Sequence, residues 1–419
     1  AKIARDYVKA VDGVEEATII GSGDLRAPVH LAALANGVAG HALDWDDTAL
    51  SLEKDRSVLI HPTMQPLCAS LAVGEHLHAS GTDFLTAFIL GLEVQVKIAE
   101  AIHPDHFTGG RGFHSSGTIG VFGAVVAASK LMALSRVQTR NALAIAATMS
   151  SGLGVNHGTM AKPLNVGRAA ESGVTAARLA SLGFDGPANA LEGGRGFFEA
   201  FGGGFDETKT ANRLGNPFAI VSPGISVKPY PSGVVGHPGM DAMRKLVTQN
   251  DIDAADIDRI HVKTGPNVIN PGPLRVTHAT TALEAKFCVP FQMAAIALRR
   301  QAGPDEFSND FVQSDACQDM QRKVAVAIDP AIAAMGKDKL VFEITVATHD
   351  GSRFSGRSDG TYRGGPANPL TWGELCQKFL DGSSKQLDHQ SQERFMRLVE
   401  GLDSLDDVSG LLASVVAPH

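Results

Sequence analysis

Aromatic residues, paired cysteines and clustered positive charge are scarce in this sequence of 419 residues. Aromatic residues make up 6% of the chain against 45 glycines, which predicts helices that pack closely through small side chains. The four cysteines lie far apart and form no CxxC pair, which argues against a structural zinc site and a disulfide framework and favours a reducing cytoplasm. The net charge of −8 leaves no basic footprint, so we expect no nucleic-acid partner.

Long hydrophobic runs are also missing from the chain. The longest run, residues 119–128, is shorter than the about 20 apolar residues that a membrane-spanning helix needs, and it predicts a buried helix instead. The composition, with 44% hydrophobic and 20% charged residues, is ordinary for a soluble protein. We therefore expect no membrane partner, and the length favours two domains.

Apolar residues recur at helical spacing through most of the first half of the chain. This pattern predicts helices at 1–10, 28–43, 65–78, 83–102, 116–133, 137–149 and 166–182, while three aspartates and mixed charge predict a loop at 44–60. After Pro223, alternating apolar and polar residues predict strands at 257–264, 323–329 and 340–348, with helices at 239–249 and 281–300. Helical spacing returns over 372–416.

These patterns together predict a mostly α protein, in which a large all-helical domain is joined to a smaller α+β domain. We place the first part of the helical domain at 1–223 and the α+β domain at 224–362. The C-terminal helices, at 363–419, are expected to return to the helical domain.

Five stretches combine ionisable residues with glycine or proline. They are HALDWDDT (41–48) followed by His61-Pro62, RGFHSSG (111–117), GTMAKPLNVGRAA (158–170), KPYPSGVVGH (228–237) and EAKFCVPF (284–291). Their lysines, histidines and arginine suit a small dianion or trianion. Lys162, Lys228 or Arg111 would stabilise the negative charge that accumulates when a proton leaves a carbon next to a carboxylate, and a neutral histidine would carry the proton.

The lysine of the third stretch, Lys162, precedes Pro163. Proline disfavours the helical region for the residue before it, so we expect Lys162 at the edge of a loop, with its ammonium group facing a cleft. Lys228 lies close to the expected domain boundary, and clefts between domains are common places for small-molecule sites. These two lysines are therefore candidate anion ligands.

Plainer interpretations of the same residues stay open. The aspartates of 44–47 could cap helices or carry solvated charge, and Lys162 could be an ordinary exposed lysine. The histidines at 76, 78, 103 and 106 have metal-like spacings, but no carboxylate or cysteine lies at a suitable offset, so we predict no metal. A helical dimer that only binds polycarboxylates, and a metal-assisted hydrolase, are the competing classes.

Taken together and in this order, the five stretches resemble the MmgE/PrpD family over about Leu31 to Pro290. The resemblance implies a large helical domain with a smaller α+β lid, a homodimer, and no cofactor or metal. It also implies a cleft between helical domain and lid whose polar residues fall on Asp44, Thr48, His61, His114, Lys162 and Lys228. Two departures are visible: the segment between Thr48 and His61 is longer than in decarboxylase-like members, and Phe291 stands where those members carry a tyrosine.

Because a missing tyrosine hydroxyl removes a possible proton donor, we predict epimerisation of an iminodisuccinate-type substrate by removal and return of a proton next to a carboxylate. The alternatives are 2-methylcitrate-type dehydration and then cis-aconitate-type decarboxylation. We assign proton transfer to Lys162 and His114, with His61 held by Asp44. Substrate binding is assigned to the side chains of Lys228, Thr48, Arg111 and His237.

Overall fold

The computed structural model describes residues 1–53, 56–107, 111–210, 212–270, 272–336, 339–358 and 361–416, and the statements below concern these residues. Helices fill most of the first half of the chain. Their bounds are α1 Lys2–Val11, α2 Val29–His41, α3 Met64–His76, α4 Gly81–Ala101, α5 Ser115–Thr118, α6 Gly120–Leu131, α7 Arg136–Met149, α8 Ala161–Ser181 and α9 Phe197–Gly202. The helices predicted for this half are confirmed, although the one at 116–133 is interrupted at Ile119.

Two glycines allow helices α2 and α8 to cross closely. A Cβ atom added to Gly37 would lie 2.9 Å from the Cα of Gly167, and one added to Gly167 would lie 2.5 Å from the carbonyl oxygen of Leu34. Real Cβ atoms are not found at such distances, so the crossing requires glycine. It lies near the end of α2 and the beginning of α8, and therefore brings His41 and the residues after it towards Lys162.

The loop predicted at 44–60 is wrong. Strand β3 (Asp47–Glu53) pairs antiparallel with β4 (Arg56–Ile60), and β3 also pairs with β5 (Ser226–Val227). Residues 54 and 55 of the predicted loop lie outside the described residues. The charged residues of this segment concealed two short runs, TALSL and SVLI, that can form strands. The pairing with β5 holds the aspartate segment beside Lys228. A further short pair joins β1 (Ala17–Thr18) and β2 (Arg26–Ala27).

A four-stranded sheet organises the second half, in the order β7-β6-β8-β9. Its strands are β6 Ile257–Thr264, β7 Val324–Ile328, β8 Phe342–Thr348 and β9 Arg353–Arg357, and only the β6–β7 pair is parallel. The first three confirm the predicted strands, and β9 was not predicted. The helices are α10 His237–Gln249, α11 Pro266–Ile269, α12 Ala282–Ala285, α13 Val289–Arg299, α14 Asn309–Val312, α15 Asp315–Arg322 and α16 Pro330–Ala333.

The C-terminal helices pack against the first half of the chain. They are α17 Trp372–Ser383, α18 His389–Glu400 and α19 Ser409–Ala413. Val408, Leu411 and Leu412 form a small hydrophobic cluster with Leu71 of α3 and Phe84 of α4. The domain boundaries proposed from the sequence stay a prediction. Among the described helices, none combines the length and the hydropathy that crossing a bilayer would require.

Candidate active site

A buried carboxylate, Asp44, lies at the centre of the candidate site. Its Oδ1 accepts hydrogen bonds from the Nζ atoms of both Lys162 and Lys228, each at 2.7 Å. Asp44, Lys162 and Lys228 are exposed by only 3%, 5% and 1%. Burial alone would raise the pKa of Asp44, but the two ammonium groups hold it well below its usual range. Asp44 is therefore an anion shared by two cations.

The backbone around Asp44 explains how the carboxylate reaches both lysines. Asp44 follows the end of α2 and has a φ of 54°, in the left-handed region, which Asp and Asn adopt more readily than most residues. Lys162 comes from α8, which the Gly37–Gly167 crossing places alongside α2. Lys228 follows β5, and its amide donates to the carbonyl of Asp46 at 3.1 Å.

Lys162 does not lie at a loop edge as predicted. Helix α8 begins at Ala161, and Lys162 is inside its first turn. The amide groups of a first turn have no partner within the helix, so Pro163 loses no hydrogen bond there, and its fixed φ suits a helix start. The rule for residues before proline is a tendency, and here the helix start prevails over it.

Three lysines bind the main chain on both sides of Asp44. The Nζ of Lys286 donates to the carbonyl of Leu43, that of Lys228 to the carbonyl of Asp44, and that of Lys378 to the carbonyl of Trp45. Burial lowers the pKa of Lys286 and that of Lys378 to about 8. Segments from three later parts of the chain thus converge on residues 43–45.

His61 is held by the main chain and not by Asp44, which corrects the prediction. Its Nδ1 lies 2.6 Å from the carbonyl oxygen of Asp47, so Nδ1 is the donor, whereas Nε2 is 3.9 Å from Oδ1 of Asp44. Burial, with the charge of Lys228 second, lowers the pKa of His61 well below its usual value. The neutral ring therefore presents the lone pair of Nε2 towards Asp44.

The other histidines of the site lie at its edges. His41 Nδ1 is 2.7 Å from Oδ2 of Asp46, and its ring lies edge-on to that of His61. His114 precedes α5 and its ring centroid is 5.0 Å from that of His157. Burial and then the charge of His157 lower the pKa of His114, and burial also lowers the pKa of His157. Both rings are neutral near pH 7.

Asp47 has the opposite character from Asp44. Its Oδ2 accepts a hydrogen bond from the hydroxyl of Thr63 at 2.6 Å, and it has no lysine partner among the described residues. Burial, together with the neighbouring charge of Asp46, raises the pKa of Asp47. The aspartate segment therefore combines an ionised carboxylate at Asp44 with a second one that retains a proton more easily.

Three predicted binding residues are placed differently from the central group. The hydroxyl of Thr48 donates to the carbonyl of Ile60 inside the β3–β4 pair. His237 is fully buried, its Nε2 is 3.2 Å from the hydroxyl of Ser232, and burial lowers its pKa to about 3. Arg111 is exposed and its guanidinium donates to the carbonyl of Ala200, so the structure does not bring it to Asp44.

Five residues of this site were not assigned a role from the sequence. They are His41, Asp46, His157, Lys286 and Lys378. The first four lie in or beside the stretches singled out from the sequence, and only their individual roles were missed. Lys378 lies in a C-terminal helix, where no motif marked it.

Four side chains of the site could contact a cation. Ligand atoms of His41, Asp44, Asp46 and His61 all lie within 4.8 Å of one another. However, one oxygen of Asp44 already receives two ammonium groups, and a divalent cation would be repelled by both lysines. The same charges attract an anion, so the donor set fits a carboxylate ligand better than a metal. The prediction of no metal stays a prediction.

Comparison with known proteins shows the family to which this chain belongs. The sequence profile of the MmgE/PrpD N-terminal domain matches residues 1–209, and that of the MmgE/PrpD C-terminal domain matches residues 230–404. The chain therefore belongs to the MmgE/PrpD family of enzymes, as its motifs predict, and it has the mostly α architecture with a smaller α/β part.

Several individual relatives in this family are named cis-aconitate decarboxylases. The chain is 30% identical to the cis-aconitate decarboxylase of Homo sapiens over 433 residues, covering 99% of this chain and 85% of that protein. It is 31% identical to that of Mus musculus over 434 residues (98% and 83% covered) and 24% identical to that of Aspergillus terreus over 433 residues (98% and 86% covered). These names support the decarboxylase alternative better than epimerisation. The homodimer and the cytoplasmic location stay predictions.

Proposed function

We propose that this enzyme is a lyase that decarboxylates a small tricarboxylate of the cis-aconitate type. The observation that carries the proposal is the buried group of Asp44, Lys162 and Lys228, bordered by neutral histidines. Its cations suit the carboxylates of such a substrate, and the full-length similarity to cis-aconitate decarboxylases supports this choice of reaction.

The reaction requires one proton. Loss of carbon dioxide breaks a carbon–carbon bond, and the electron pair left behind forms a new double bond to the adjacent carbon. The electrons of the old double bond then take a proton at its far carbon. A tricarboxylate trianion and one proton thus give carbon dioxide and a dicarboxylate dianion, so no oxidant or reductant is needed.

Lys162 is the group we assign as proton donor. Burial lowers its pKa, and the charge of Asp44 opposes that shift, so Lys162 is an ammonium group that releases its proton more easily than an exposed lysine. Because His61 and His114 are neutral, they leave the positive charge of the site to the lysines, and we assign them to orienting the substrate. Lys228 binds a carboxylate on the side of the second half of the chain.

Phe291 does not distinguish epimerisation from decarboxylation. Phe291 is fully buried and its ring packs edge-on against Phe307, with Phe311 nearby, in the hydrophobic core of the second half. Packing accounts for a phenylalanine at this position. Its lack of a hydroxyl therefore does not favour epimerisation over decarboxylation.

Turnover of cis-aconitate in deuterated water tests the proposal. We expect release of carbon dioxide and one solvent deuterium on carbon in the dicarboxylate product, as seen by proton and carbon NMR. Recovery of a dicarboxylate or tricarboxylate with an unchanged skeleton and deuterium next to a carboxylate would instead indicate epimerisation. Formation of an alkene from 2-methylcitrate, without carbon dioxide from cis-aconitate, would indicate a dehydratase.

Substitution of Lys162 separates an enzyme from a binding protein. We expect Lys162→Ala to lower kcat by at least about 100-fold, the size of effect seen when one charge-stabilising donor is removed. Lys130→Ala removes an exposed lysine from α6 and serves as the matched control. A protein that only binds polycarboxylates would show no turnover to lose in either variant.

A further inference from the structure

An open pocket with basic walls lies in the second half of the chain, apart from the candidate active site. Its volume is about 560 Å³. It is bordered by α10, by the ends of α13 and β9, and by Ser358, Thr361, Arg363 and Asn368, which come after β9. The charged residues that line it, within the described part of the chain, are Arg244, Lys245, Arg300, Arg357, Arg363 and Asp241.

The single carboxylate among these lining residues, that of Asp241, already accepts two hydrogen bonds from the protein. Oδ1 of Asp241 accepts a hydrogen bond from the hydroxyl of Tyr230 at 2.7 Å, and its Oδ2 accepts one from the amide of Arg363 at 2.9 Å. Asp241 is therefore fixed to the wall of the pocket, where its charge acts on Arg363 and Arg244. Five cations against this one carboxylate leave the described lining residues with a net charge of +4.

The cations of the pocket are only partly neutralised. Arg300, Arg357 and Arg363 each have a carboxylate partner that does not line the pocket, namely Asp251, Glu343 and Glu374. Arg244 and Lys245 form no ion pair within 4.0 Å with any described carboxylate, and both are exposed. Within the same described residues, the Nε of Arg363 is buried without a hydrogen-bond partner. The Nε of Arg244 donates to the carbonyl of Arg300 at 3.2 Å, so the rest of its guanidinium and the ammonium of Lys245 are left without a described carboxylate partner on the α10 side of the cavity.

We propose that this pocket binds a small multivalent anion, a phosphate ester or a polycarboxylate. Guanidinium groups present paired donors that match both kinds of oxyanion, and Lys245 adds a point charge at the rim. A volume of about 560 Å³ accommodates a small molecule, since ligand pockets commonly measure about 300–1,000 Å³.

The proposed site is separate from the candidate active site but shares a wall with it. None of the described residues that line the pocket forms a hydrogen bond or ion pair with Asp44, Lys162 or Lys228. Arg363 lies over the ring of Tyr230, at 5.6 Å from its centroid, and the same ring also packs edge-on against His237. Residues of the pocket can therefore be substituted without changing Asp44, Lys162 or Lys228.

Calorimetric titration of the whole chain with inorganic pyrophosphate tests the inference. At low salt we expect one site per chain, with affinity that falls as salt is raised because exposed charges are screened. The double variant Arg244→Ala/Lys245→Ala should bind at least tenfold more weakly. Arg259→Ala/Arg353→Ala, which removes the same charge from exposed strand positions outside the pocket, should bind as the original protein does.

Lys162→Ala distinguishes the pocket from the candidate active site. If this variant loses pyrophosphate binding while the pocket double variant retains it, the ligand binds at Asp44 and the inference is wrong. Equal losses in the pocket and control double variants, or no heat of binding at millimolar pyrophosphate, would also overturn it. Citrate titrated into Lys162→Ala then shows whether the pocket prefers carboxylates or phosphates, and either preference supports the inference.

Discussion

Replacement of Asp44 by asparagine is the most direct test of the central charge group. Asparagine keeps the shape of the side chain and also tolerates the left-handed backbone at this position, where φ is 54°. The change therefore removes the charge without adding backbone strain. Lys162 and Lys228, exposed by only 5% and 1%, would then lose the carboxylate that binds both of them, and Asp46 would be the nearby carboxylate that still acts on both.

The expected loss of stability can be bounded in two ways. Removing one partner of a buried ion pair typically costs about 3–5 kcal/mol. The protein can limit this loss by releasing the proton of one lysine, which at pH 7 costs about 1.4 kcal/mol for each unit below an ordinary lysine pKa of about 10.4, or close to 5 kcal/mol. We therefore expect Asp44→Asn to lower the free energy of unfolding by about 3–5 kcal/mol.

Guanidinium unfolding followed by circular dichroism, with kcat measured on the folded variant, checks this expectation. Asp185→Asn, at an exposed position after α8, is the control for loss of one carboxylate. We also expect kcat of Asp44→Asn to fall by at least about 100-fold, since both ammonium groups lose the carboxylate that holds them in place. An Asp44→Asn protein as stable as the Asp185→Asn control, within about 1 kcal/mol, would refute the reasoning.

Three further changes have expected outcomes. Gly167→Ala should destabilise the protein by about 1–3 kcal/mol in the same unfolding assay because its Cβ would collide with the carbonyl of α2, whereas Gly194→Ala, with open space around it, should not. Arg111→Ala should leave kcat/KM within about twofold, while Lys228→Ala should lower it by about 100-fold or more. Burial lowers the pKa of His237 to about 3, so the unfolded chain takes up a proton at this residue at a higher pH than the folded protein does. The free energy of unfolding should therefore fall as the pH drops below about 6.5, by about 1.4 kcal/mol per pH unit for this residue. Urea unfolding at several pH values from 5 to 7 should show a weaker dependence of this free energy on pH in His237→Phe.

The sequence was most informative where one periodicity dominates. Helices α2 to α8 and strands β6 to β8 follow from the spacing of their apolar residues, and the glycine-rich composition anticipated contacts such as Gly37–Gly167. The hairpin β3–β4 was missed because the aspartates and other charged residues before and within it resemble loop composition. Its pairing with β5, more than 160 residues later, depends on contacts that no local pattern contains.

The sequence motifs identified most residues of the candidate site, but they did not reveal which hydrogen bonds those residues form. Asp44, Lys162 and Lys228 were all identified, yet the partner of His61 was not, because a main-chain carbonyl such as that of Asp47 carries no signal in the sequence. Arg111 belongs to a motif that contributes His114, but its side chain points to the carbonyl of Ala200. Side chains that are close in one sequence motif can therefore point to different parts of the structure.

The geometry around Asp44 depends on the folding of the whole chain. The carbonyls of residues 43, 44 and 45 are bound by lysines that arrive from α12–α13, from the segment after β5 and from α17. Lys228 and Lys286 are buried and Lys378 is partly buried, each at the cost of hydration, and that cost is offset only when the other segments are in place. Since the left-handed conformation of Asp44 is held by these same contacts, the carboxylate can be aimed at both Lys162 and Lys228 only after the second half and the C-terminal helices have packed. The distribution of the site over distant segments therefore links its assembly to completion of the fold.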